Sequence, residues 1–226
     1  MGRARAVVVA SAGALAAVAF APGLARGQLI GQPPNHFGGP AADTDFINMF
    51  GQQSWQQLAE DFTLSAPADI RKIRWWGFYD QDNPPASETM RIRFYAARPG
   101  DGLPGAVLQE TTLSSPSRIA TGLIVQVGIN PHEYRYEAIL PALFSAAAGV
   151  PYWIEIVQVG DVSTHFRWED SGTGDDRYVF LNRIVADWTE STLHVDLAYQ
   201  LVAVPESSTV TLLLSALAWM RRSLKR

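Results

Sequence analysis

The sequence contains no cysteine. That excludes a disulfide framework, a thiolate nucleophile and any metal site built on thiolates. Histidine is scarce: His36, His132, His165 and His194 stand far apart and form no HExxH-type arrangement. No GxSxG elbow and no phosphate-binding loop occurs, so no catalytic residue is assigned. No internal repeat is evident. The longest apolar runs, 6–20 and 210–220, fall short of the ~20 residues that a membrane-spanning helix requires.

Positive charge is thin across the middle of the chain. Positions 28–204 hold 11 basic and 21 acidic residues, a formal charge of −10, whereas the whole chain carries −4. A body this acidic is a poor partner for nucleic acid, because phosphate contacts need clustered Lys and Arg. Hydrophobic residues make up 47% of the 226, enough for one well-buried core and too many for a disordered chain. The missing cations lie at the two ends.

Residues 1–27 have the pattern of an export signal. Arg3 and Arg5 precede an uncharged run of Ala, Val and Leu over 6–20. Ala25 and Gly27 then place small residues at −3 and −1 for cleavage before Gln28, which implies the export machinery and signal peptidase as partners. At the other end a polar break, Pro205, Glu206, Ser207, Ser208 and Thr209, leads into the apolar run 210–220 and closes on Arg221, Arg222, Lys225 and Arg226. Eleven helical residues rise about 16 Å, well under the ~30 Å hydrocarbon core, so this tail would anchor transiently at the inner membrane. Cations on its far side stay cytoplasmic and leave the body outside, the orientation that the export signal predicts independently.

The 204–226 tail resembles the sorting signal of PEP-CTERM proteins of exopolysaccharide-producing Gram-negative bacteria. Pro205 and Glu206 match the first two positions of the Pro-Glu-Pro motif, and Ser207 stands where the second proline would be. The resemblance implies an exosortase-like processing enzyme as partner, and exopolysaccharide as a candidate one.

Between the ends, 28–45 is rich in Gly, Pro, Asn and Asp and reads as an extended lead-in. Over 46–203 the pattern becomes that of a β domain. Arg91, Ile92, Arg93, Phe94 and Tyr95 send apolar and charged side chains to opposite faces, and Leu197, Tyr199 and Leu201 share one face. Residues 58–64, 70–79 and 152–159 are further strands, and Gly/Pro/Asp turns at 80–85, 98–102 and 170–174 separate them. Residues 140–148 could form a turn or two of helix before Gly149, Val150 and Pro151 end it. Many short strands without a long amphipathic helix predict an all-β fold, an antiparallel β-sandwich of jelly-roll type. Four patches also resemble a domain common among exported PEP-CTERM proteins: 60–64, 73–79, 92–95 followed by Pro104 and Gly105, and 152–156, with 196–201 closing the set. That resemblance implies fold and location, and no chemistry.

Six of the seven tryptophans fall in the body. Exposed indoles stack on the apolar faces of sugar rings, so Trp75, Trp76 and Trp168 are candidate glycan-binding residues. Trp75 and Trp76, adjacent on one strand, must point to opposite faces, which predicts an outward-facing indole. Asp170, Asp175 and Asp176 flank a Gly/Ser/Thr turn and are candidate Ca2+ ligands, as a flexible loop of hard oxygens suits that ion. The expectation is an exported, non-catalytic envelope or extracellular-matrix protein, with glycan and Ca2+ as candidate ligands. Its alternative is a polysaccharide hydrolase or lyase on the same sandwich, for which Glu155 and Glu169 would be the paired carboxylates.

Overall fold

The computed structural model describes residues 29–42, 56–160, 164–182 and 186–204. The expected export signal and the tail with Pro205, Glu206 and the short helix lie outside the described residues.

Alternating apolar residues and closely spaced turn signals leave the described chain with strands and no α-helix; a single 3-10 turn spans Asp80–Asp82. One sheet runs β1 (Leu29–Gln32), β14 (Tyr199–Val204), β3 (Ala68–Tyr79), β7 (His132–Ala146) and β6 (Ser117–Ile124). A short strand, β9 (Phe166–Trp168), joins β3 beyond the end of β14. The second sheet runs β12 (Asp187–Glu190), β11 (Tyr178–Asn182), β2 (Leu58–Thr63), β8 (Pro151–Gln158), β4 (Thr89–Ala97) and β5 (Pro104–Ser114). A two-stranded ribbon of β10 (Asp170–Ser171) and β13 (Asp196–Leu197) completes the set. All named strand pairs are antiparallel.

The core lies between the sheets. Tyr199, Trp75 and Tyr136 stand side by side on β14, β3 and β7 and are all buried. They share one apolar cluster with Leu58, Ile92 and Ile154 of the opposite sheet. Pleat alternation explains β4, where Ile92 and Phe94 enter that core while Arg91 and Arg93 turn to the other face and reach Glu155. Alternation fails on β8, because a second cluster of Ala59, Tyr95, Trp153 and Val179 also covers the outer face. A central strand buried on both sides loses its polar phase.

Two expectations change. Residues 140–146 continue β7 and form no helical turn: Ile70 pairs with Phe144 and Ala68 with Ala146, which puts Leu140, Phe144 and Ala146 into the core. Cross-strand pairing and burial outweigh the weak helix preference of Leu and Ala. The lead-in is also part of the fold. β1 pairs with β14, and residues 34–42 run beside 166–171 through bonds such as Ala42 N–H to Phe166 O (2.9 Å) and Trp168 N–H to Pro40 O (3.0 Å). Gly39 permits this approach, since a β-carbon there would lie 2.1 Å from the Trp168 carbonyl oxygen.

A candidate metal centre on the outer face of the first sheet

Glu133 and Glu169 come together through sheet register. Gly77 of β3 pairs with Tyr134 on one side and Trp168 on the other, and this row faces the core. The next residues therefore face outward: Trp76, Phe78, Glu133, Arg135, Arg167 and Glu169. That face is covered. Asn35 N–H bonds Asp170 O and Asp170 N–H bonds Gly38 O, while Gln126 N–H bonds His36 O, so His36 projects from the Asp170 side toward the β6–β7 connection. An Asn35 side-chain turn onto Phe37 N–H (2.9 Å) and a left-handed His36 (φ 65°) shape this stretch.

His36 is thereby set over the two acids. Its backbone N–H donates to Glu169 Oε1 (3.0 Å), its Nδ1 lies 3.4 Å from the same oxygen, and Nδ1 also contacts Glu133 Oε2. The imidazole is 37% exposed, whereas Glu133 and Glu169 are 1% and 0% exposed. One ligand atom from each of the three lies within 4.8 Å of the others, and no other such trio of His, Asp and Glu occurs among the described residues. Burial, followed by the neighbouring Glu133 charge, pushes the Glu169 carboxyl up to about 9.

The residues expected from sequence to bind glycan or Ca2+ sit elsewhere, and differently. Trp75 is 0% exposed and stacks on Tyr136, with ring centroids 5.1 Å apart. Trp168 is 0% exposed and donates its indole N–H to Ala198 O (2.8 Å). Trp76 does take the opposite face from Trp75, yet it is only 9% exposed. None of the three offers a ring face to a sugar, and they serve as packing. Asp170, Asp175 and Asp176 do not assemble as a ligand set. The loop points its N–H groups inward: those of Asp175 (3.1 Å), Asp176 (3.1 Å) and Arg177 (3.3 Å) all donate to the Asp196 carboxylate. Glu155 and Glu169 are also separated, the first on β8 of the second sheet and the second just after β9 of the first.

Asp196 belongs to an acidic group with Glu60, Asp61 and Asp175. Burial, then the Asp175 charge, raises the Asp61 carboxyl to about 6, and burial with Asp196 raises Glu60 well above its ordinary value. An acid whose folded pKa is raised adds stability only below its unfolded value near 4 and loses it as pH climbs through the folded one. The protein should therefore be more stable to urea at pH 5 than at pH 7.5. Asp61→Asn should flatten that slope and stabilise at pH 7.5 by on the order of 1–2 kcal/mol, reduced because Asp61 keeps some solvent. A variant with the wild-type pH profile would rule out Asp61 as a source.

His36 lies 133 positions from Glu169 and 97 from Glu133, so no local spacing announces the trio. The nearest sequence signal is a pair of glutamates each next to an aromatic, Tyr134 and Trp168, in strand-forming stretches. No curated protein matches the chain. The sequence profile of a domain of unknown function (DUF7901) matches residues 30–202, from the first strand through the last. A match over so much of the chain places this protein in the DUF7901 family.

Proposed function

We propose that this chain is an exported, non-catalytic protein of the bacterial cell envelope or extracellular matrix, sorted through a PEP-CTERM-like tail. The observation that supports this reading is that the described strands lie between the two expected signals. β1 begins at Leu29, just past the expected cleavage before Gln28, and β14 ends at Val204, just before Pro205. Leu29 and Val202 are paired, so the first and last described strands lie side by side in the first sheet. Cleavage before Gln28 and attachment through the tail would leave every described strand intact. We assign the two sheets a jelly-roll wrapping, supported by the way the chain passes between them from β2 to β3, to β4, and again from β5 to β6 and from β7 to β8.

Support for a non-catalytic role comes from Glu88, the carboxylate that lines a cavity. A cavity of about 370 Å³ beside Ser87, Thr89, Ser114 and Ser115 contains one carboxylate, Glu88. Glu88 accepts from Arg118 (3.0 Å) and Tyr136 (3.2 Å), which tie it into the fold beside that cavity. The processing partners on this reading are signal peptidase and an exosortase-like enzyme, and the matrix partner is exopolysaccharide. Deleting residues 205–226 is expected to move the protein from the envelope fraction into the medium. Unchanged fractionation of the truncated protein would count against sorting by the tail.

A further inference from the structure

We infer that His36, Glu133 and Glu169 bind one divalent transition-metal ion, Zn2+ by the chemistry of the ligands, and that this ion clamps the lead-in segment onto the first sheet. The other buried glutamates, Glu60, Glu88 and Glu155, have a partner at each oxygen. Glu155 pairs with Arg91 (2.8 Å), Glu88 pairs with Arg118 (3.0 Å), and the two oxygens of Glu60 accept from Gln32 (3.1 Å) and Leu197 N–H (3.0 Å). Glu133 and Glu169 are treated differently. Among the described residues their ion pairs run to His36 alone, and one oxygen of each lies within 4.8 Å of the other. Two buried carboxylates this close need a shared proton or a bridging cation.

A second, separate observation points to the cation. Oε2 of Glu169 is buried with no hydrogen-bond donor, although the side chain is 0% exposed. An orphaned carboxylate oxygen at such depth is costly unless something positive meets it. Arg167, on the same face, is turned away to Asp80 and to Gly39 O (3.2 Å).

The ligand set selects the ion. One imidazole with two carboxylates suits Zn2+ and its first-row neighbours, whereas Ca2+ takes six to eight oxygens and does not seek imidazole. The half-exposed edge of His36 gives the ion a way in and leaves a coordination position for water. Such a clamp would join residues 35–38 to β7 and to the end of β9, a tie that a cysteine-free chain cannot make with a disulfide.

The test uses the full chain in detergent, stripped with chelator and titrated with ZnCl2, MnCl2 or CaCl2 by calorimetry, with Co2+ absorption as a probe of coordination. One Zn2+ per chain is expected, held more tightly than Ca2+. His36→Ala and Glu169→Gln should weaken Zn2+ binding by on the order of 100-fold, the upper end of the loss caused by removing even a supporting partner of a ligand. His36 is partly exposed, so His36→Ala keeps the test valid if Glu169→Gln fails to fold. In the wild type, Zn2+ should also slow amide hydrogen exchange over residues 35–39, and in His36→Ala it should not. No Zn2+ uptake would mean that the two acids share a proton, and the inference fails. Wild-type affinity in His36→Ala, or Ca2+ binding as tight as Zn2+, would overturn it equally.

Discussion

Trp168→Ala should cost about 3–5 kcal/mol of folding stability, the range found for truncating a buried tryptophan. Trp168 is 0% exposed, belongs to the main core cluster, and donates its indole N–H to Ala198 O at 2.8 Å. The substitution removes the packing, opens a cavity under β9, and leaves Ala198 O with only the longer bond from Trp76 N–H (3.4 Å). The loss should appear as a lower urea midpoint with the slope unchanged. In thermal unfolding it should appear as a drop of roughly 2–4 °C per kcal/mol. The result also decides between two roles for this residue. A sugar-stacking platform would lose glycan binding with little change in stability, so a variant that unfolds like the wild type would revive that role.

Glu155→Ala is expected to be comparably damaging, at about 3–5 kcal/mol, because it breaks a buried ion pair from one side only. Glu155 is 0% exposed, and its Oε1 accepts from Arg91 Nη2 (2.8 Å) and Nε (3.3 Å). Its Oε2 accepts from the Tyr95 hydroxyl and lies 3.8 Å from Arg93 Nη1. Removing the carboxylate leaves Arg91 without its anion and Tyr95 without its acceptor. Denaturation at pH 7 in low and high salt would measure this. Because the pair is buried, the loss should persist in high salt, where a surface pair would be screened. A cost below about 1 kcal/mol would mean that solvent replaces the carboxylate, contrary to its burial. Glu155→Gln should retain part of the network and cost less, since one acceptor oxygen survives.

Both predictions concern residues that sequence alone suggested for chemistry and that the fold uses for support. Local pattern was a good guide to strands. The alternation at 91–95, the shared face of Leu197, Tyr199 and Leu201, and the turn residues between strands all describe how neighbouring side chains partition between core and solvent. These are properties of contiguous residues, and pleat geometry translates them directly. Local pattern was a poor guide wherever a distant segment changed what a face meets. Trp76 points away from the core row as expected, yet it is only 9% exposed, on the face where His36, forty positions earlier, meets Glu169. The 170–176 stretch has the composition of a cation loop, but Asp196 arrives from β13 and its carboxylate receives the loop N–H groups instead.

The sequence by itself determined an all-β body, the approximate placement of its main strands, and the excess of acid over base between two basic ends. Only tertiary structure decided which aromatics were hidden, which acids found a counter-charge, and that His36 would meet Glu133 and Glu169. The reason is physical. Strand formation depends on neighbours two residues apart, whereas exposure and ion pairing depend on which strand lies alongside, and here the pairing joins residues 97 and 133 positions apart.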